Sequence, residues 1–222
     1  MAELALYITN KCYSSWSLRA WLVMRAFDIP FDEVMVPLTD DGRVPAMSGI
    51  SPTSKVPCLV VRDPASDARP VTIWESPAIV EFLAEQFPDR PIWPADSAGR
   101  ALARSLVAEM HAGFAALRSE CPMNLRRPAS CHAVSKACRN DVKRIEEIFQ
   151  QAQLVSGGPF MMGDFSALDA FYAPVYSRLM TYRQSKHPAV LRFGAALAEL
   201  PALMAWVEAA ADETAIITAV EV

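Results

Sequence analysis

The stretch from Ser54 to Leu83 constrains the fold of this chain more tightly than any other. It reads Ser-Lys-Val-Pro-Cys-Leu-Val-Val, then a polar excursion, then Val-Thr-Ile-Trp-Glu-Ser-Pro-Ala-Ile-Val-Glu-Phe-Leu. Two β-branched runs, one after Pro57 and one from Val71 to Trp74, flank Asp63, Pro64, Ser66 and Asp67, the composition of a hairpin connection. Pro57 has no N–H to donate and restricts Val56 to extended backbone, so the N–H and C=O of Val56 stay free for a ligand. A cis Val56–Pro57 bond would make a tight turn at the strand mouth. Glu75-Ser76-Pro77 then opens a helix, with Ser76 as the expected N-cap and Pro77 at the first helical position. Ile79, Val80, Phe82, Leu83 and Phe87 form its buried stripe. A helix N-terminus with a free hydroxyl suits a carboxylate, and extended Val-Pro backbone beside it suits a peptide-like ligand.

The flanking sequence completes an α/β unit. Leu4 to Thr9 reads as a strand, and Asn10 to Ser15 as a polar loop. Trp16, Leu18, Trp21, Leu22 and Ala26 fall at helical spacing, with Ser14 or Ser15 as N-cap. Phe31 to Val36 reads as a second strand, so strand, helix, strand implies a parallel pair. Thr39 to Ser54 reads as a polar loop with at most a short helix. The order is βαβ, then ββα, closing near Phe87. Proline-rich segments around Pro88–Pro91 and Pro94–Ser97 bracket a linker, and the remainder reads as helix. Leu102, Leu106, Met110, Phe114 and Leu117 make one stripe, and Val134, Cys138, Val142, Ile145, Phe149 and Ala152 another. Met123 to Pro128 separates them, and Gly157-Gly-Pro159 ends the second. Ser166-Ala-Leu-Asp169 reads as a capping box with Asp in place of Glu, ahead of an apolar helix from Ala170 to Met180. Two more helices follow, around Ala189–Ala198 and Pro201–Ala210.

Composition removes several function classes. The chain is 52% hydrophobic and 21% charged, which excludes disorder, and its net charge of −4 with scattered basic residues offers no nucleic-acid surface. No run of about 18 apolar residues predicts a membrane span, and the N-terminus lacks a signal-peptide pattern. The five cysteines, Cys12, Cys58, Cys121, Cys131 and Cys138, form no Cys-x-x-Cys pair, which favours free thiols in a reducing cytoplasm. Cys131-His132 with Cys138 matches no zinc spacing, so no metal is expected.

Lys-Val-Pro, two short strands and Glu-Ser opening a helix resemble the glutathione site of the glutathione S-transferase superfamily. The resemblance spans the chain and implies a thioredoxin-like glutathione-binding domain over residues 1–87, a linker over 88–98 and an all-helical substrate-binding bundle over 99–222. It implies that Val56, ahead of Pro57, pairs with the cysteinyl backbone of glutathione, and that Glu75 and Ser76 hold its γ-glutamyl end. Lys55 is placed to pair with the glycine carboxylate. Glutathione is then a co-substrate, a small electrophile the second substrate, and a homodimer in the cytoplasm the expected assembly.

Activating a thiol of pKa about 8.5 calls for a hydrogen-bond donor at the start of the first helix. There the chain offers Cys12-Tyr13-Ser14-Ser15-Trp16-Ser17-Leu18-Arg19. Ser-Ser-x-Ser-x-Arg resembles the zeta-class motif, whose first serine is catalytic. This assigns Ser14, with Ser15 assisting. Trp16 departs from the Cys that commonly follows the serine pair. The alternative reading of both serines is as plain helix caps. Cys12 and Ser15 make a Cys-x-x-Ser layout, the basis of an alternative thiol reductase. Tyr7 lies too early, and Tyr13 ranks behind the serines. Arg126, between the first long helices of the helical half, is the candidate to attract an acidic second substrate. The expected activity is addition of the glutathione thiolate to a small electrophile. The alternatives are a maleylacetoacetate isomerase-like reaction, the Cys12 reductase, and a non-catalytic binding module on the same fold.

Overall fold

The computed structural model describes residues 2–66 and 68–222, so Asp67 of the expected hairpin connection lies outside the described residues. Four strands form one sheet in the order β2-β1-β3-β4: β1 Glu3–Ile8, β2 Asp32–Met35, β3 Cys58–Arg62 and β4 Val71–Trp74. β1 and β2 are parallel, joined by helix α1 (Ser15–Ala26), while β3 runs antiparallel to both β1 and β4. The register sets Leu6 opposite Leu59 and Leu59 opposite Ile73, a row of apolar side chains on one face. Leu4, Leu6 and Ile8 alternate inward along β1 and share a core with α1 and with helix α2 (Ser76–Gln86). On the opposite face Cys58 packs with Val36, Val44 and Met47.

Helix α1 is buried along nearly its whole length, from Ser15 to Met24 with only Trp16 partly open. It is packed on both sides, by the sheet and α2 and by the helices of the second half. This explains why its sequence lacks a polar face. Ser14 is its N-cap, accepting from the Ser17 N–H at 3.2 Å.

The helical half comprises α3 (Ser97–Ala112), α4 (Ala115–Glu120), α5 (Lys136–Ser156), α6 (Ala167–Thr181), α7 (Pro188–Ala198) and α8 (Pro201–Ala211). The stripe from Leu102 to Leu117 does not run along one helix. Gly113 and Phe114 break it, Phe114 at φ +55°, and a Cβ on Gly113 would meet the Glu109 carbonyl oxygen at 2.6 Å. Leu102 is 39% exposed, because Ala103 and Val107 take the inward positions beside Leu106 and Met110. Val134 lies just before α5, whose N-cap is Ser135. The stripe from Cys138 to Ala152 is buried, and Gly157 closes α5 at φ +66°.

The capping box at α6 is present and fully buried on its acidic side. The Asp169 carboxylate accepts from the Ser166 N–H at 2.8 Å, the Ser166 hydroxyl at 2.9 Å and the Met161 N–H at 2.8 Å. Burial nevertheless raises its pKa to about 6, the desolvation outweighing the three donors. Phe165, just before the cap, joins Phe27 and Phe160, with ring centroids at 5.8 and 5.5 Å. No single helix among the described residues is long and apolar enough to cross a membrane.

Candidate active site

A cavity of about 610 Å³ lies between the sheet half and the helical half. Three segments of the first half line it. The loop into α1 supplies Ser14, Ser15 and Trp16, the loop before β3 supplies Lys55, Val56 and Pro57, and the end of β4 supplies Glu75. The Val56–Pro57 bond is cis. The β1–β3 ladder begins at Cys58, so Val56 lies beyond the sheet's own pairing. Pro57 is buried, Val56 half-buried and Lys55 exposed at the mouth.

Ser76 is not the N-cap of α2, as the sequence led us to expect. The Glu75 carbonyl already accepts from the Ile79 N–H at 3.1 Å, so Glu75 is the cap, and Ser76 and Pro77 are the first two helical residues. Glu75 has φ +68°, a left-handed conformation costly for a non-glycine residue. It turns the chain out of β4 and leaves the Ser76 hydroxyl fully buried, with no hydrogen-bond partner among the described residues. An orphan hydroxyl at a helix N-terminus beside the cavity fits an anionic ligand group.

The helical half brings cations that sequence reasoning left without a role. Arg118 from α4 and Arg178 from α6 line the cavity, together with His111 from α3. Arg178 is 5% exposed; its guanidinium donates to the Pro174 carbonyl at 3.1 Å and to the Ser15 hydroxyl oxygen at 3.0 Å. Burial, then the charge of Arg118, lowers its pKa to about 10, which leaves it charged at neutral pH. Arg19, in α1, is fully buried with no hydrogen-bond partner for any guanidinium nitrogen among the described residues, and stacks 4.0 Å from the Trp16 ring centroid. Burial, with Arg178 and Arg118 nearby, pulls its pKa well down. Burial, then Arg19, also lowers the pKa of His111, so its 3.5 Å approach to Glu75 joins a neutral ring to a carboxylate at neutral pH. Among the described residues the helical side of the cavity is therefore cationic. A signal for Arg178 existed: an arginine inside an otherwise apolar, buried helix.

Arg126 does not line the cavity. It donates to the Tyr13 hydroxyl at 3.0 Å and to the backbone carbonyls of Glu213 and Ala215, tying down the C-terminal segment. That segment also braces the loop that carries the serines. The Glu213 carboxylate accepts from the N–H groups of Lys11 at 2.6 Å and Cys12 at 3.1 Å, and the Tyr13 hydroxyl donates to Glu221 at 2.7 Å. Burial, then the bond to Glu221, raises the Tyr13 pKa. Cys12 is fully buried, points to the Asn124 side-chain oxygen at 3.3 Å and is not part of the cavity wall.

Residues 13–86 match the model of the glutathione S-transferase N-terminal domain. A probable maleylacetoacetate isomerase of Caenorhabditis elegans is 26% identical over 90% of this chain and 89% of its own length. The maleylacetoacetate isomerase of Pseudomonas aeruginosa is 30% identical over 55% of each. The chain spans about half the length of this and the other shorter-matching curated relatives. Among solved structures, a glutathione transferase homolog from Burkholderia GL BGR1 with bound glutathione superposes with TM-score 0.71 at 23% identity, covering 95% of this chain and all of that one. A maleylacetoacetate isomerase from Anaeromyxobacter dehalogenans with glutathione in its active site gives 0.62 at 22%, covering 92% and 94%. These likenesses carry the fold. The family match covers residues 13–86, and the likeness of fold extends over nearly the whole chain.

Proposed function

We propose that the protein is a glutathione-dependent enzyme that uses the thiolate of the tripeptide against a small electrophilic carbon. The observation that carries this reading is the Ser76 hydroxyl, fully buried without a partner among the described residues at a helix start, directly after Glu75, which lines the same cavity as the cis Val56–Pro57 turn. In this reading Ser76 and the free amides at the start of α2 take the γ-glutamyl carboxylate, and Glu75 takes its ammonium group. The Val56 backbone pairs with the cysteinyl amide, and Lys55 meets the glycine carboxylate. When bound, glutathione supplies the sulfur nucleophile. A serine hydroxyl at the mouth of α1 stabilises its negative charge, aided by the positive end of the helix.

The second substrate docks on the helical side. Its cationic wall, Arg118 and Arg178 with Arg19 behind, favours an electrophile carrying a carboxylate. This favours a second reading within the same chemistry. Reversible addition to an acidic, conjugated diene, rotation about the former double bond and expulsion of the thiolate would make the protein an isomerase. The isomerase names of several relatives support that reading. The acidic group falls to Arg118, with Arg178 adding to the positive field behind it, and Arg126 instead orders the C-terminal segment. All five cysteines are free, which supports a reducing cytoplasm. A homodimer belongs to the same proposal. Trp74 and Val71 on β4 and Leu102 on α3 are apolar side chains left exposed for such a contact.

The test is paired assays in the presence of glutathione, one with a neutral aromatic chloride and one with a cis-configured unsaturated diacid. Turnover of either supports the reading, and isomerisation of the diacid without loss of glutathione selects the second form. Absence of both, with no glutathione binding, refutes it.

A further inference from the structure

The two serines at the start of α1 differ in what their hydroxyls are free to do. The Ser14 oxygen accepts from the Ser17 N–H at 3.2 Å, and its proton goes to the Ser17 hydroxyl at 2.8 Å. The Ser17 oxygen also accepts from the Thr9 N–H at 3.2 Å. Ser14 is thus consumed by the helix cap. Ser15 is 3% exposed and lines the cavity; its oxygen accepts from Nη2 of Arg178 at 3.0 Å, and among the described residues nothing accepts its proton.

We propose that Ser15 is the hydroxyl that donates to the glutathione sulfur, and that Arg178, through its hydrogen bond to Ser15, is the positioning residue that aims and strengthens that donation. This rests on the glutathione reading above and reverses the order of the serine pair that the zeta-like motif implied. A cationic donor on the Ser15 oxygen draws electron density from its O–H, which makes the remaining proton a better donor to an anion. Arg178 is itself held by the Pro174 carbonyl within α6, so the Ser15 oxygen is fixed between two helices. The serine keeps its proton throughout. The thiol loses its own to solvent, and the thiolate is the only anion formed. Charged and titratable groups facing Arg178 are Arg118 from α4, Arg19 from α1, Cys121 after α4 and Tyr182 after α6. The carboxylate of the cavity wall is Glu75 on the opposite side, against His111. The field at the Ser15 hydroxyl is therefore net positive and favours the thiolate.

The experiment follows the ultraviolet absorbance of the bound thiolate against pH, with kcat measured in parallel, in the wild type, Ser14→Ala, Ser15→Ala, Arg178→Lys and Arg178→Gln. In the wild type the bound thiol titrates below the ordinary thiol value of about 8.5. We expect Ser15→Ala to raise that pKa by about one unit and to slow turnover about tenfold below it, with the deficit recovered at high pH. Arg178→Gln reproduces the rise, Arg178→Lys restores part of it, and adding Ser15→Ala to Arg178→Gln brings no further rise. Ser14→Ala lowers the melting temperature and leaves the thiol pKa near wild type. Should the buried Arg178→Gln variant fail to fold, Ser15→Ala and Arg178→Lys decide the matter. A thiol pKa unchanged in Ser15→Ala, or raised in Ser14→Ala instead, overturns the proposal while the glutathione reading stands. A wild type that binds no glutathione overturns both.

Discussion

Replacing Ser76 with alanine separates stability from function in opposite directions. The Ser76 side chain is 0% exposed, and its hydroxyl meets no partner among the described residues. Burying an unpaired hydroxyl costs about 1–3 kcal/mol, so removing it should stabilise the ligand-free protein. Taking about 1 kcal/mol of that as recovered, with the rest offset by the small void, the melting temperature should rise by roughly 2–4 °C for a chain of this length. The same hydroxyl is assigned to the γ-glutamyl carboxylate. A hydrogen bond to a charged group is worth about 1.5–3 kcal/mol, so glutathione affinity should fall by about 10- to 150-fold. Differential scanning calorimetry of the free protein and titration calorimetry with glutathione measure the two quantities on one preparation. A variant that melts lower than wild type and binds glutathione equally well would refute the reasoning, because Ser76 would then be an ordinary structural residue of α2.

Other perturbations test other links. Asp169 has a folded pKa of about 6, above the ordinary carboxylate value, so the folded state holds its proton more tightly than the unfolded chain. Its contribution is therefore most favourable below about pH 4 and declines as pH rises through 6, by an amount on the order of 3 kcal/mol. Urea unfolding at a series of pH values should show this decline, and Asp169→Asn should flatten it; an equal slope in the variant would contradict the assignment. Glu213→Ala removes the acceptor of the Lys11 and Cys12 amides and should cost about 1–3 kcal/mol in urea unfolding while lowering turnover, since the loop it braces carries Ser14 and Ser15. Unchanged stability would show that the C-terminal segment does not brace the loop. Cys12→Ala should leave glutathione-dependent turnover unchanged, because the thiol faces Asn124 and lies off the cavity; a loss of thiol-reducing activity in this variant would revive the reductase reading.

What the sequence disclosed was local, and what it hid was convergent. The Val56–Pro57 turn, the Glu75-Ser76 helix start and the serine cap of α1 are each encoded within a few neighbouring residues, where proline geometry and capping chemistry act directly. The parallel pairing of β1 and β2 follows from β1, α1 and β2 in sequence, since a parallel pair needs a crossover. The break at Gly113–Phe114 was concealed because the apolar spacing continues through it, and only the positive φ of Phe114 shows that the helix stops. The cap register of α2 was off by one residue, since a strained Glu75 is not favoured by propensity and is held by its surroundings. The cationic wall was not legible as a wall. Arg19, Arg118 and Arg178 lie on α1, α4 and α6, and only tertiary packing brings them near one another. The clamp of Glu213 and Glu221 on the loop from Lys11 to Tyr13 spans about two hundred positions and carries no periodic signal.

The most direct test of the central claim is titration calorimetry of the unmodified protein with reduced glutathione in buffers of different ionisation enthalpy. The expected result is one site per chain with release of a proton at neutral pH, the signature of a thiol ionised on binding. Absence of heat at millimolar glutathione, or binding without proton release, would contradict it.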